Sequence, residues 1–136
     1  METPATILVL EDIETVRTLF RSVLQRSGFE VLEAETIDEA LDRQQNHSVP
    51  IHLLIANVVL PGRASGTQAA IELRERLPDL KILFASGMPQ EGWGQKDLQN
   101  MAKLPTGSYS FIAKPFLPTI LIQKIRELLS VRVKTA

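Results

Sequence analysis

The chain has 136 residues, 44% of them hydrophobic, and a formal net charge of -1 from 15 basic and 16 acidic side chains. That length suits one domain able to bury a core of its own; the charge balance gives no electrostatic basis for nucleic-acid binding, and the absence of cysteine excludes disulfides and thiolate metal sites. No apolar run approaches the roughly 20 residues that span a membrane, and the start Met1-Glu2-Thr3-Pro4 lacks the features of a secretory leader, so the expectation is a cytoplasmic protein.

Ile7-Leu8-Val9-Leu10 is a continuous apolar run stopped by Glu11-Asp12, the pattern of a strand covered on both faces. From Ile13 to Ser27 the residues Ile13, Val16, Phe20, Val23 and Leu24 recur at helical spacing, and Gly28 supplies a stop. Phe29 to Leu32 is a second strand. Thr36-Ile37-Asp38-Glu39 is a capping-box pattern that opens a helix with Ala40 and Leu41 inward. Ile51 to Ala56 is a third strand ending at Asn57. Ser65 to Arg76 reads as a helix burying Ala69, Ala70, Leu73 and Leu77, closed by Pro78.

Lys81 to Ala85 is a fourth strand that runs into Ser86-Gly87. The stretch from Met88 to Gly107 carries several prolines and glycines and is the least regular part; a short helix is expected over Gln95 to Lys103. Ser110 to Ala113 is a fifth strand ending at Lys114-Pro115, and a last helix begins near Pro118 with Leu121, Ile125 and Leu128 inward. The tail after Ser130 is expected to fray. Alternating strands and helices imply a parallel sheet with right-handed crossovers and helices on both faces. The expected fold is therefore α/β: a flavodoxin-like, doubly wound, five-stranded parallel sheet in the order 2-1-3-4-5. The chain reads as a single unit over residues 1–136, with its core at about residues 5–130.

In such a sheet the strand ends share one edge. Glu11 and Asp12 follow strand one, Asn57 ends strand three, Ser86 follows strand four and Lys114 follows strand five. Two carboxylates, an amide, a hydroxyl and an ammonium are thus expected in one shallow crevice. Each has an ordinary alternative. The acidic pair could simply face a helix dipole, Ser86-Gly87 could be a turn, and Lys114 could be a surface lysine. The weight lies in their joint placement.

Four stretches in order resemble the receiver domains of response regulators: Ile7-Leu-Val-Leu-Glu-Asp12, Leu54-Ile-Ala-Asn-Val-Val-Leu-Pro-Gly62, Phe84-Ala-Ser-Gly87 and Phe111-Ile-Ala-Lys-Pro-Phe116. The resemblance implies a signalling module rather than an enzyme. In that family an aspartate at the position of Asn57 accepts a phosphoryl group from a histidine kinase. By the same resemblance Glu11, Asp12, Asn57 and the main-chain carbonyl of Val59 would form a magnesium site, and Ser86 and Lys114 would contact phosphoryl oxygens. Phe111 would stand where an aromatic reports phosphorylation, with a half-buried core phenylalanine as the plainer reading, and Lys114-Pro115 would be cis.

Asn57 departs from the family pattern. A carboxylate attacks phosphorus to give an acyl phosphate, and a neutral amide does not do so comparably. Loss of one of three negative groups also implies a weak Mg²⁺ site and less like-charge repulsion. Either Asn57 is the chain's own residue, giving a pseudo-receiver that acts through protein–protein contacts, or it is an engineered change from the aspartate of an ordinary Mg²⁺-dependent receiver. The chain could also be a fragment of a hybrid histidine kinase. The expected partner is a sensor histidine kinase or another signalling protein, with a homodimer as a further option and neither nucleic acid nor membrane contacted directly. A flavin or nucleotide binder of the same topology would need a phosphate loop after strand one, where this chain places Glu11-Asp12. Trp93 could face a partner or close over local core, and His47 and His52 are expected at the surface or a strand edge.

Overall fold

The computed structural model describes residues 4–48, 50–58, 65–87 and 93–130. The elements alternate in chain order: β1 Thr6–Leu10, α1 Glu14–Arg26, β2 Glu30–Ala34, α2 Ile37–Asn46, β3 Leu53–Asn57, α3 Gly66–Arg76, β4 Lys81–Ser86, α4 Gln95–Ala102, β5 Tyr109–Ala113 and α5 Pro118–Ser130. The strands form one parallel sheet in the order β2-β1-β3-β4-β5, as the alternation of strands and helices implies.

The three inner strands are buried along their whole length, which is why their central residues read as apolar runs, with polar residues only at the ends. Alternation sends their side chains to opposite faces. Leu8, Leu10, Leu54, Ala56, Ile82 and Phe84 meet α2, α3 and α4, while Ile7, Val9, Leu53, Ile55, Leu83 and Ala85 meet α1 and α5. Two half-cores, one per face, hold the sheet between them.

Local chemistry sets the helix ends. The Thr36 hydroxyl caps α2 by accepting the Glu39 N–H at 3.1 Å, and the Glu39 carboxylate reaches back to accept the N–H of Glu35, the residue before the cap, at 3.0 Å. After α1, Gly28 takes φ +90°, a left-handed conformation suited to glycine. Lys81, at the start of β4, donates from Nζ to the Leu128 carbonyl at 2.7 Å and so neutralises an orphan acceptor in the last turn of α5.

Some boundaries differ from the sequence expectation. β2 runs to Ala34 rather than Leu32, because Glu33 on this edge strand pairs with Arg17 and Arg21 and so tolerates a strand position. Ile13 is the residue preceding α1 and is 50% exposed, so it is not part of the buried stripe. The structure places α4 close to its expected span, one residue shorter at the C-terminal end.

Candidate functional site

The parallel sheet brings the expected side chains to its carboxyl edge. Asn57 is the last residue of β3 and Ser86 the last of β4. Glu11 follows β1 and its N–H is held by the Ala34 carbonyl at 3.0 Å. Lys114 follows β5, with its N–H donating to the Ser86 carbonyl at 2.9 Å, and the Lys114–Pro115 peptide is cis. Val59, the remaining residue expected here, lies outside the described residues.

Glu11 is the centre of the cluster. Its side chain is 1% exposed, and each carboxylate oxygen has a partner. Lys114 Nζ donates to Oε1 at 2.7 Å, while Asn57 Nδ2 and the Ile13 N–H donate to Oε2 at 3.0 and 3.3 Å. Asn57 Nδ2 also donates to Asp12 Oδ1 at 3.1 Å. Ionised carboxylates only accept, so the amide must turn its nitrogen towards them. Asn57 therefore spends both amide hydrogens joining Glu11 to Asp12, and the ammonium of Lys114 neutralises the pair from the other side.

Burial alone would raise the Asp12 pKa. Hydrogen bonds involving Glu11, its own backbone and Asn57, together with the Lys114 charge, outweigh it and hold the carboxyl below its ordinary value. Asp12 is thus kept acidic by protein groups alone. Mg²⁺ requires an octahedral shell of oxygens, whereas here the facing groups are an amide N–H₂ and an ammonium. The described residues do not fit Mg²⁺ as arranged, and among them no group of three or more His, Asp or Glu side chains could hold a metal ion.

Phe111 points into the half-core on the α4 side and is only partly buried. Its ring lies 6.0 Å from Phe84, 5.5 Å from Trp93 and 5.6 Å from Tyr109. Trp93, 8% exposed, closes over this ring cluster rather than projecting outward. His52 sits at the opposite, amino-terminal end of the sheet, where Nδ1 accepts the Thr6 N–H at 3.0 Å. His47 Nε2 lies 3.8 Å from Glu30.

Two contributors escape a reading of motifs. Arg17, on α1, donates to the Glu11 carbonyl at 2.9 Å and reaches Glu33 and Glu35 at 3.4 and 3.2 Å, anchoring the acidic turn to β2. Gly66 opens α3 directly against Asn57, where a Cβ would stand 2.1 Å from the Asn57 carbonyl oxygen. A glycine in a first helical turn, where most other residues favour the helix more, was the available signal.

Residues 7–126 match the model of the response regulator receiver domain family. The chain belongs to this family. This receiver domain is 33% identical over 130 residues to the aerobic respiration control protein ArcA of Escherichia coli K12, covering 96% of the chain and 50% of ArcA. It is 31% identical over 125 residues to the sensor kinase CckA of Brucella abortus, covering 92% of the chain and 12% of CckA. The receiver domain thus spans half or less of these two relatives. Among solved structures it is similar to a response regulator receiver protein from Sinorhizobium medicae, with a TM-score of 0.77, 25% identity and coverage of 93% and 94% of the two chains. Its place in two-component signalling follows from the family.

Proposed function

We propose that this receiver is phosphorylation-incompetent and signals by protein–protein contact, with a sensor histidine kinase or another signalling protein as partner. The observation that carries the reading is Asn57, whose Nδ2 is hydrogen-bonded to both Glu11 and Asp12. An amide at this position supplies no carboxylate to attack phosphorus. It also supplies the hydrogen-bond donors that a metal-free acidic pair needs, so the pocket is stable without a phosphoryl group or a cation. Ser86 and Lys114 keep the places of phosphoryl-oxygen contacts, but Lys114 serves Glu11 instead. Mg²⁺ binding at Glu11, Asp12 and Asn57 is correspondingly weak. The unit of function is one receiver over the whole chain, acting in the cytoplasm and not as an enzyme.

The test is incubation with Mg²⁺ and acetyl phosphate followed by intact mass. The expected result is no added phosphate on the wild-type chain and incorporation in Asn57→Asp. Phosphate found on the wild type at the end of β3 would overturn the reading.

A second reading draws on the likeness to CckA, of which the chain covers 12%. There the chain is the receiver segment of a hybrid kinase, with Asn57 in place of the aspartate of an ordinary receiver. Phosphotransfer to Asn57→Asp from a kinase module encoded in the same gene would favour it.

A further inference from the structure

α1 and α5 cover the same face of the sheet without closing against each other along their whole length. Phe20, about one turn before Val23 on α1, stacks on Phe116, just ahead of α5, with ring centroids 4.7 Å apart. Past that stack, towards the C-terminal halves of both helices, lies a groove of about 720 Å³. Val23, Arg26 and Ser27 line one wall, and Pro118, Ile122 and Arg126 line the other. Val23 is 4% exposed and Ile122 is partly buried against the same half-core, so the floor is apolar. The volume lies within the roughly 300–1,000 Å³ typical of small-molecule sites.

The charges around this floor are unbalanced. Arg17, Arg21 and Arg43 are all paired with carboxylates. The two arginines of the groove are not. Arg26 Nε donates only to the Ser22 carbonyl of its own helix, at 3.3 Å. Arg126 makes no hydrogen bond or ion pair among the described residues. Glu127, the one acidic residue lining the groove, accepts instead from Gln123 Nε2 at 3.2 Å. Arg26 lies in the last turn of α1 and so favours that helix's dipole. The last turn of α5 holds no basic residue, so Arg126 has no such role. Two guanidinium groups without a carboxylate partner, beside an apolar floor, complement a ligand with an anionic head and an apolar body. A guanidinium fork matches a carboxylate in particular, since it can donate two parallel hydrogen bonds.

We propose that the α1–α5 groove binds a small organic anion of the medium-chain carboxylate class, with its chain on Val23 and Ile122 and its carboxylate held by Arg26 and Arg126. Bound there, the ligand bridges the C-terminal halves of the two helices. The inference stands on the groove and its arginines and does not depend on the reading of Asn57.

Titration of the full chain with sodium decanoate below its micellar range, followed through backbone amide chemical shifts, tests this. Saturable shifts are expected in the last turn of α1 and along α5, with the β1 and β3 amides unmoved. Decanol and decyltrimethylammonium, which share the chain and lack the negative charge, should bind about tenfold more weakly or worse, the scale of a hydrogen bond to a charged group. Arg26→Gln and Arg126→Gln change exposed side chains and should keep the fold. Each should weaken decanoate about tenfold. Four results would each sink the proposal: no saturable shift, equal binding of decanol, undiminished binding in either arginine variant, or self-association of the free chain that Arg126→Gln abolishes. The last would assign the groove to a second copy of the chain.

Discussion

Gly66 lies so close to Asn57 that any other residue at position 66 would drive a Cβ to within 2.1 Å of the Asn57 carbonyl oxygen and 2.8 Å of its carbonyl carbon. The obstructing atoms are main chain and belong to the end of a buried strand, so they cannot swing aside.

Gly66→Ala should therefore destabilise the fold although alanine favours helices. Overpacking of this kind costs about 1–3 kcal/mol, and the upper end is expected where backbone must move. Urea unfolding measures the loss. A variant as stable as wild type would show that α3 shifts freely from Asn57.

Asn57→Asp exchanges an amide that donates to two carboxylates for a third carboxylate beside them. Loss of satisfied buried partners predicts a destabilisation of about 1–3 kcal/mol in the absence of divalent cations. Added Mg²⁺ should restore much of it, whereas the wild type should respond weakly. Thermal melts of both proteins with EDTA and with Mg²⁺ read the difference. An equal Mg²⁺ response in the two proteins would contradict the role given to the amide.

Lys114→Met should leave Glu11, 1% exposed, without its ammonium partner. Removing one member of a buried pair costs about 3–5 kcal/mol, and the lower end applies because Lys114 is 18% exposed. Adding Glu11→Gln should recover part of the loss, giving a coupling energy of about 0.5–3 kcal/mol in the double-mutant cycle. Additive losses in denaturant unfolding would show that the pair is not coupled.

Lys81 supplies a pH signature away from the site. Burial first, then the nearby Arg74 charge, lowers its pKa, opposed by Asp79. The charged form is thus penalised in the folded state. That penalty is fully present below the folded pKa and is relieved as pH rises through it towards the unfolded value of about 10.4. The stability of wild type relative to Lys81→Met should therefore increase as pH is raised from neutral to about 10. A difference that stays flat or falls with pH would show that Lys81 is not strained in its charged form.

Much of the architecture is legible without coordinates because the inner strands are buried on both faces. Ile7 to Leu10 and Ile82 to Ala85 stand out as continuous apolar runs, and a parallel sheet leaves little choice about where their ends go. The edge strand β2 is less legible. Its charged residue Glu33 finds partners on α1 that are distant in sequence, so hydrophobicity understates its length.

The candidate site divides in the same way. Residue types and their order along the chain determined that Glu11, Asp12, Asn57, Ser86 and Lys114 share one edge, since strand direction alone decides that. Only the tertiary structure decided that Asn57 is a donor to both acids, that Glu11 rather than Asp12 takes the lysine, and that Arg17 and Gly66 brace the pocket. The physical reason is range: strand and helix formation follow from the periodicity of nearby residues, whereas contacts between separate elements, some of them across as many as 103 positions, depend on distances that exist only once the sheet and its helices have packed.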